Sequence, residues 1–375
     1  MSDVLAFITW DVDWNALESP IAVRYYGILW ALSFLIGIFL MKKMMANDNA
    51  PEEYTDKIFL YVLIGGVVGA RLGHVVFYDP QYYFTSEHWT EIPMIWKGGL
   101  ASHGGAIGVL LANWLYSRRV SKRSFLWSVD KIVVAVALAG CLIRVGNLMN
   151  SEIIGRESES STAMFFQFAA EEDIATDIYY KSGKNIEAVS VEITPQGEDY
   201  IVKMNVKANG TLTNEHLSSL LNAVKTEHRE GSEGFNEYED HIKTMDNPSL
   251  EVVQANGNTG YMQFSISPIP RIPTQIWEAG VYLLIFFFLF WGYWKQHWYR
   301  REGLLFGLFL VLVFGARFII EFYKENQVED LTDEVMLNMG QRLSIPAILI
   351  GIYCIYRAFA NPQKDTKVHI EKTEE

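Results

Sequence analysis

Arg24, Arg71, Arg144 and Arg317 each interrupt a stretch that otherwise reads as apolar enough to cross a membrane. A guanidinium at the centre of such a helix costs roughly 2.5–3.5 kcal/mol on insertion scales, so intramembrane arginines usually face a cavity and serve function. His74, His103, Glu152 and Glu321 accompany them. Guanidinium groups gathered in a membrane protein are suited to an anion, because the planar fork binds phosphate oxygens in pairs. In a bilayer the abundant anion is a lipid phosphate.

Three constellations carry this chemistry. The third apolar stretch opens Gly98-Gly99-Leu100-Ala101-Ser102-His103-Gly104-Gly105. A small-residue packing helix with a satisfied histidine accounts for these residues. Glycines on the flank of His103 also leave room around an imidazole, which can take a proton near neutral pH as a general base must. The fourth stretch ends Arg144-Val145-Gly146-Asn147-Leu148-Met149-Asn150-Ser151-Glu152, then Gly155 and Arg156. Arg144, Asn147, Ser151 and Gly155 recur at intervals of three and four, the spacing of one helix face. For Arg156 a snorkelling interfacial side chain is the preferred reading. In the sixth stretch Arg317 and Glu321 are four residues apart, so the acid either pairs with the guanidinium or aims it at a ligand. Arg71 and His74 invite the same two readings.

These groups need elements to hold them. A hydrocarbon core of ~30 Å requires about 20 mostly apolar helical residues. Seven stretches fit, at 21–41, 58–78, 99–117, 126–149, 276–294, 303–323 and 343–361. Lys42, Lys43 and Lys57, then Arg118, Arg119, Lys122 and Arg123, then Lys295, Arg300 and Arg301 make alternate loops basic. By the positive-inside rule those loops are cytoplasmic, which puts the N-terminus outside and the C-terminus inside. Tyr26, His103, Arg144, Asn147, Glu152 and the segment 271–278 then share the outer half of the bilayer, with Arg317 and Glu321 near them.

Between the fourth and fifth spans, residues 157–270 hold 7 Lys/Arg against 19 Asp/Glu, nearly all of the formal net charge of −13. An acidic block argues against nucleic acid, which needs a basic footprint. The expected organisation is a polytopic, seven-helix, all-α membrane protein with a small α+β extracytoplasmic insert. Its parts are residues 1–156, the insert 157–270, spans five to seven at 271–361, and a cytoplasmic tail 362–375. Within the insert, 188–206 alternates around Pro195-Gln196-Gly197 as a hairpin. Residues 213–227 have helical spacing behind a Thr213 N-cap. Strands 249–254 and 260–267 flank Asn256-Gly257-Asn258. The stretch 228–246 reads as a mobile polar loop. Cys141 and Cys354 are apolar packing residues without metal-ligand spacing.

From the residues alone three functions stay open: an enzyme acting on a lipid phosphate, an anion or lipid transporter, and a scaffold whose outer domain binds. The segments GGLASHGGAIG, RVGNLMNSEIIGR, PRIPTQIWE and GARFIIEF resemble those of the bacterial phosphatidylglycerol–prolipoprotein diacylglyceryl transferases, over roughly residues 20–156 and 270–360. The resemblance implies a seven-helix inner-membrane enzyme. Such an enzyme moves diacylglyceryl from phosphatidylglycerol onto the lipobox cysteine thiol of a preprolipoprotein and releases glycerol phosphate. It further implies chemistry at His103, Arg144 and Arg317. Substrate binding falls to Tyr26, Gly104, Asn147, Asn150, Glu152, Gly155 and Glu321, with neither cofactor nor metal. The thiolate is the nucleophile, so a base is needed; His103 fits, and Glu152 and Glu321 remain open for that role. The chain departs from the family at Ile272, where a histidine is usual, and in its long insert.

Overall fold

The computed structural model describes residues 7–17, 22–85, 87–196, 199–229, 241–325, 337–363 and 365–368. The chain opens with short strands β1 (Ile8–Trp10), β2 (Asn15–Leu17) and β3 (Val23–Arg24), then helices α1 (Tyr25–Asn47) and α2 (Glu52–Phe77). A short helix α3 (Pro80–Tyr83) precedes α4 (Ser102–Tyr116) and α5 (Phe125–Met149). Next come β4 (Met164–Phe166), α6 (Gln167–Lys181), β5 (Ile186–Gln196), β6 (Asp199–Ala208), α7 (Asn214–Glu227), β7 (Ile242–Thr244), β8 (Val252–Asn256) and β9 (Thr259–Pro268). Helices α8 (Thr274–Trp294), α9 (Leu304–Ile320) and α10 (Met339–Ala360) complete it.

Among the described residues six helices are long and apolar enough to cross a membrane: α1, α2, α5, α8, α9 with its terminal turn, and α10. The third expected span is different. Its α-helix, α4, has 15 residues, about 22 Å at 1.5 Å per residue, short of the ~30 Å core. It runs on into a π-helical turn, Ser117–Ser121, that ends where Lys122 turns left-handed at φ +51°. Arg24 lies outside the first span. It sits in β3, paired with Asn15 of β2, its guanidinium 5.5 Å from the Trp14 ring, so strand pairing rather than a cavity accounts for it.

The described chain forms two compact units. The first comprises Met1–Leu29, Ile143–Ala279 and Phe318–Gln341. Its antiparallel sheet runs β5-β6-β9-β7, with β8 also pairing to β9. Alternate residues of β6 and β9, Val202, Met204, Phe264 and Ile266 among them, are buried in one core with Ile174 and Ile178 of α6. Thr213 caps α7 by accepting from the His216 amide at 3.2 Å, and Leu217, Leu220, Leu221 and Val224 make its buried face, as the spacing predicts. The expected hairpin is β5–β6, and Gly257 takes φ +65° between β8 and β9. Of the stretch expected to be a loop, 230–240 lies outside the described residues, whereas 242–244 is strand β7, paired to β9. The N-terminal segment joins this unit through β1, which pairs in parallel with β4.

The second unit comprises Trp30–Leu142, Gly280–Arg317 and Arg342–Glu375. Here α2 and α4 cross at backbone contact. A Cβ on Gly69 would meet the Gly104 carbonyl oxygen at 2.4 Å, and one on Gly108 would meet that of Gly65 at 2.0 Å. Small residues at helical spacing permit this approach, which in lipid supplies the dispersion contact that the hydrophobic effect does not. At one end of the unit Asp48, wholly buried, pairs with Lys131 at 2.7 Å and accepts from the Trp127 indole at 2.7 Å. Asp130 accepts from the Gly303 and Phe306 amides, satisfying the free donors that begin α9.

Gly69→Val is expected to force α2 and α4 apart and to cost about 1–3 kcal/mol, the range for an overpacked core. Thermal unfolding in detergent measures it, with Gly280→Ala, where nothing lies within 4 Å of the added carbon, as the control that leaves the midpoint unchanged or raised.

Candidate active site

Glu278 lies in the second turn of α8, a carboxylate with no solvent exposure that two cations reach. Arg144 of α5 pairs through Nε with Oε2 at 2.8 Å, and Lys324 donates from Nζ to Oε1 at 2.9 Å. A buried carboxylate is costly unless it is paired and hydrogen-bonded, so Glu278 and its cations hold each other in place. Burial pushes the Lys324 ammonium below its ordinary range, and Glu278 pulls it part of the way back.

From this anchor the network runs outward. Arg144 Nη1 donates to the Asn147 side-chain oxygen at 3.0 Å, and the Asn147 amide donates to Glu152 Oε1 at 2.7 Å. Asn150 approaches the same carboxylate at 3.5 Å. Nε and Nη1 of Arg144 are thus engaged, and Nη2 is the remaining arm, without a partner among the described residues. Such an arm, held on a fixed guanidinium, suits an anionic oxygen.

The helix that carries Arg144 ends at Met149, so the shared helix face expected to run on to Ser151 and Gly155 stops at Asn147. Ser151 and Ile153 take φ +54° and +60° and reverse the chain. Gln275 donates to the Glu152 carbonyl at 2.8 Å, and Thr274 to that of Ile153 at 3.1 Å, which ties the reversal to the start of α8. Gly155 is a point of close backbone contact. A Cβ there would lie 2.6 Å from the Ile272 carbonyl oxygen, which accepts the Gly155 amide at 2.9 Å. Ile272, where the resemblance leads one to expect histidine, thereby serves the site through its backbone. Gly146 leaves space on α5 for the Tyr26 ring, whose Cδ2 lies 2.8 Å from where a Cβ would be.

Tyr26, Arg144, Asn147, Asn150, Glu152, Gly155 and Glu321 all belong to the first unit, where Glu321 Oε2 lies 3.9 Å from Lys324 Nζ. His103, Gly104 and Arg317 belong to the second. There His103 stands at the start of α4, half-buried, with the Phe77 ring at 5.2 Å and Tyr78 at 5.8 Å. Gly104 makes no room for the imidazole; its Cβ position is filled by the backbone of Gly69 and Gly73. Gly98 and Gly99 are left-handed, at φ +84° and +73°, where other residues are strained. Arg71 is structural. Its guanidinium is buried and donates to the carbonyls of Glu91, Ile92, Gly98 and Gly99 at 2.6–3.2 Å, pinning the loop before α4.

Similarity to known proteins converges on one family. Residues 15–357 match the family model described as prolipoprotein diacylglyceryl transferase. The chain belongs to that family. A phosphatidylglycerol–prolipoprotein diacylglyceryl transferase of Chloroherpeton thalassium is 33% identical over 362 residues, 96% of this chain and 98% of that protein. The enzyme of the same name from Porphyromonas gingivalis is 34% identical over 365 residues, 95% of this chain and 96% of the relative. That from Tolumonas auensis is 33% identical over 344 residues. Because these alignments cover nearly the whole chain, the insert too lies within the length of the transferases it resembles.

Glu278 is part of the polar entry to the fifth span, but nothing local in the sequence marks it as the partner of Arg144, and Lys324 carries no local signal at all. Glu278 closes the quoted segment PRIPTQIWE, and Lys324 follows the sixth apolar stretch. An isolated acid entering an uncharged helix was the available signal. Glu278→Gln is expected to destabilise the fold by about 3–5 kcal/mol, because the cations lose their counter-charge in a buried site. In the cycle with Lys324→Met the double variant should recover part of that loss, measured by unfolding of the purified protein; strictly additive losses would deny the coupling.

Proposed function

We propose that this chain transfers the diacylglyceryl group of phosphatidylglycerol to the lipobox cysteine thiol of preprolipoproteins. The thiol sulfur forms a bond to the glycerol carbon that bears the phosphoester. The carbon–oxygen bond to phosphate breaks, and glycerol phosphate leaves with the bonding electrons. The thiol proton passes to a base, for which His103 is chosen: it is half-buried beside the Phe77 and Tyr78 rings, and imidazole is the commonest general base. The observation that carries the reading is Arg144, whose guanidinium is fixed by Glu278 and Asn147 with one arm remaining for a phosphate oxygen. Held in advance, it stabilises charge as the phosphate departs without reorganising at that moment.

Arg317 supplies a second guanidinium to the phosphate. Tyr26, Gly104, Asn147, Asn150, Glu152, Gly155 and Glu321 bind the substrate. No metal or cofactor is called on. The reading includes seven spans, with α4 and its π-turn making a 20-residue third crossing from Ser102 to Ser121. The basic loops face the cytoplasm of a bacterial inner membrane, and the N-terminus and the acidic insert face outward. Transport is not favoured, since the chain belongs to a family of transferases.

Purified protein, phosphatidylglycerol and a lipobox peptide should give a diacylglyceryl mass gain on the cysteine peptide and none on its serine counterpart. Arg144→Ala should lower that rate by about 10²–10³-fold, as loss of one charge-stabilising donor does. No gain with well-folded protein, or an undiminished rate in Arg144→Ala, would overturn the proposal. His103→Gln should slow transfer by about 10²–10⁴-fold; near-normal turnover would remove His103 as the base.

A further inference from the structure

The basic end of α4 has a shape that the reaction does not use. Trp114, Ser117, Arg118, Lys122 and Arg123 line an open polar pocket of ≈ 500 Å³, closed on the α5 side by Ser124 and Phe125. Trp114 and Phe125 also wall a second pocket of ≈ 520 Å³, whose other faces are Ile107, Leu110 and Leu111. The two pockets adjoin at Trp114 and Phe125, which line both, so a basic surface borders an apolar one. Each volume falls in the range of small-ligand sites, about 300–1,000 Å³. Residues 117–127 contain no acid to neutralise Arg118, Arg119, Lys122 and Arg123. Arg118 rests over the Trp114 ring at 5.7 Å, and Arg123 is held by the Thr366 carbonyl at 2.9 Å and by that of Lys367. The cations are thus collected where the α-helix gives way to its π-turn.

We infer that this surface binds one anionic phospholipid, its phosphate headgroup among Arg118, Lys122 and Arg123 and an acyl chain along Ile107, Leu110 and Trp114. The inference rests on the reading of α4 as a membrane span whose basic end lies at the cytoplasmic face. It uses none of the residues assigned to the transfer. Charge selects the headgroup: three cations, with no carboxylate among the residues that line the pocket, favour a net negative phosphodiester over a zwitterion, whose own cation they repel. Shape selects a lipid over a free phosphate, because the basic pocket and the apolar one adjoin at Trp114 and Phe125. Such a lipid would be a bound constituent of the fold, seated between α4 and α5.

The test is native mass spectrometry of the full chain in detergent, titrated with dioleoylphosphatidylglycerol or dioleoylphosphatidylcholine. The wild type is expected to retain one more phosphatidylglycerol than Arg118→Gln/Lys122→Gln, with affinity at that site falling about 5-fold per charge removed. Arg118→Lys/Lys122→Arg should keep the lipid, and Trp114→Ala should weaken it. The neutralised variant should still transfer diacylglyceryl in detergent. Should it not fold, Lys122→Gln alone carries the comparison. Equal retention by wild type and neutralised variant would overturn the inference, as would equal retention of phosphatidylcholine, which marks an apolar surface only. Displacement of the lipid by millimolar inorganic phosphate would make it a free-anion site instead. If the transferase reading fails, the wild type gives no peptide mass gain, yet the lipid count still drops in the neutralised variant.

Discussion

A guanidinium can stand where α5 leaves the apolar stretch only because a buried carboxylate stands beside it. Glu278 is that carboxylate, and its pairing with Arg144 and Lys324 couples three segments far apart in sequence. The arrangement has no slack. Remove the acid and two cations are left in a dry site; remove either cation and the acid loses half of its compensation. The same pairing occupies Nε of Arg144 and so fixes which part of the fork can meet a ligand. Stability and the orientation of Arg144 are therefore one electrostatic problem.

Glycine plays the complementary part. At Gly65, Gly69, Gly104 and Gly108 it removes side chains so that α2 and α4 touch along their backbones, which sets where His103 stands. At Gly155 and Gly146 it lets the Ile272 backbone and the Tyr26 ring close on the end of α5. Charged groups pair across segments, and glycines let the backbones between them come close. A polar backbone reversal such as that at Ser151–Ile153 survives because Thr274 and Gln275 satisfy its carbonyls.

Much of this was legible beforehand. Apolar runs of about 20 residues located α1, α2, α5, α8, α9 and α10, because the need to satisfy the backbone within each span leaves no other structure open to them. Thr213 and the leucine spacing behind it located α7, and alternation located the β5–β6 hairpin. Family membership was legible too, since short segments around His103, Arg144, Glu278 and Arg317 carry it. Less legible was the use made of each charge. Arg24 and Arg71 looked like the other two arginines, but one lies on a strand pair and the other caps a loop with four carbonyl bonds. Spacing placed Ser151 and Gly155 on the helix of Arg144, but the chain turns left-handed before reaching them.

The sequence by itself determined which segments are apolar and where the charged residues lie along them, hence the membrane class, the acidic insert and the family. Those properties depend on neighbours within one or two helical turns, which a linear chain displays. Only the tertiary structure decided which acid neutralises Arg144, that Gly104 serves packing, and that Ile272 contributes a carbonyl instead of a side chain. Ion pairs and backbone contacts form across space: Lys324 and Glu278 meet over a separation of 46 residues. No local pattern encodes such a partner, because any buried acid reached by the fold would have satisfied the same charge.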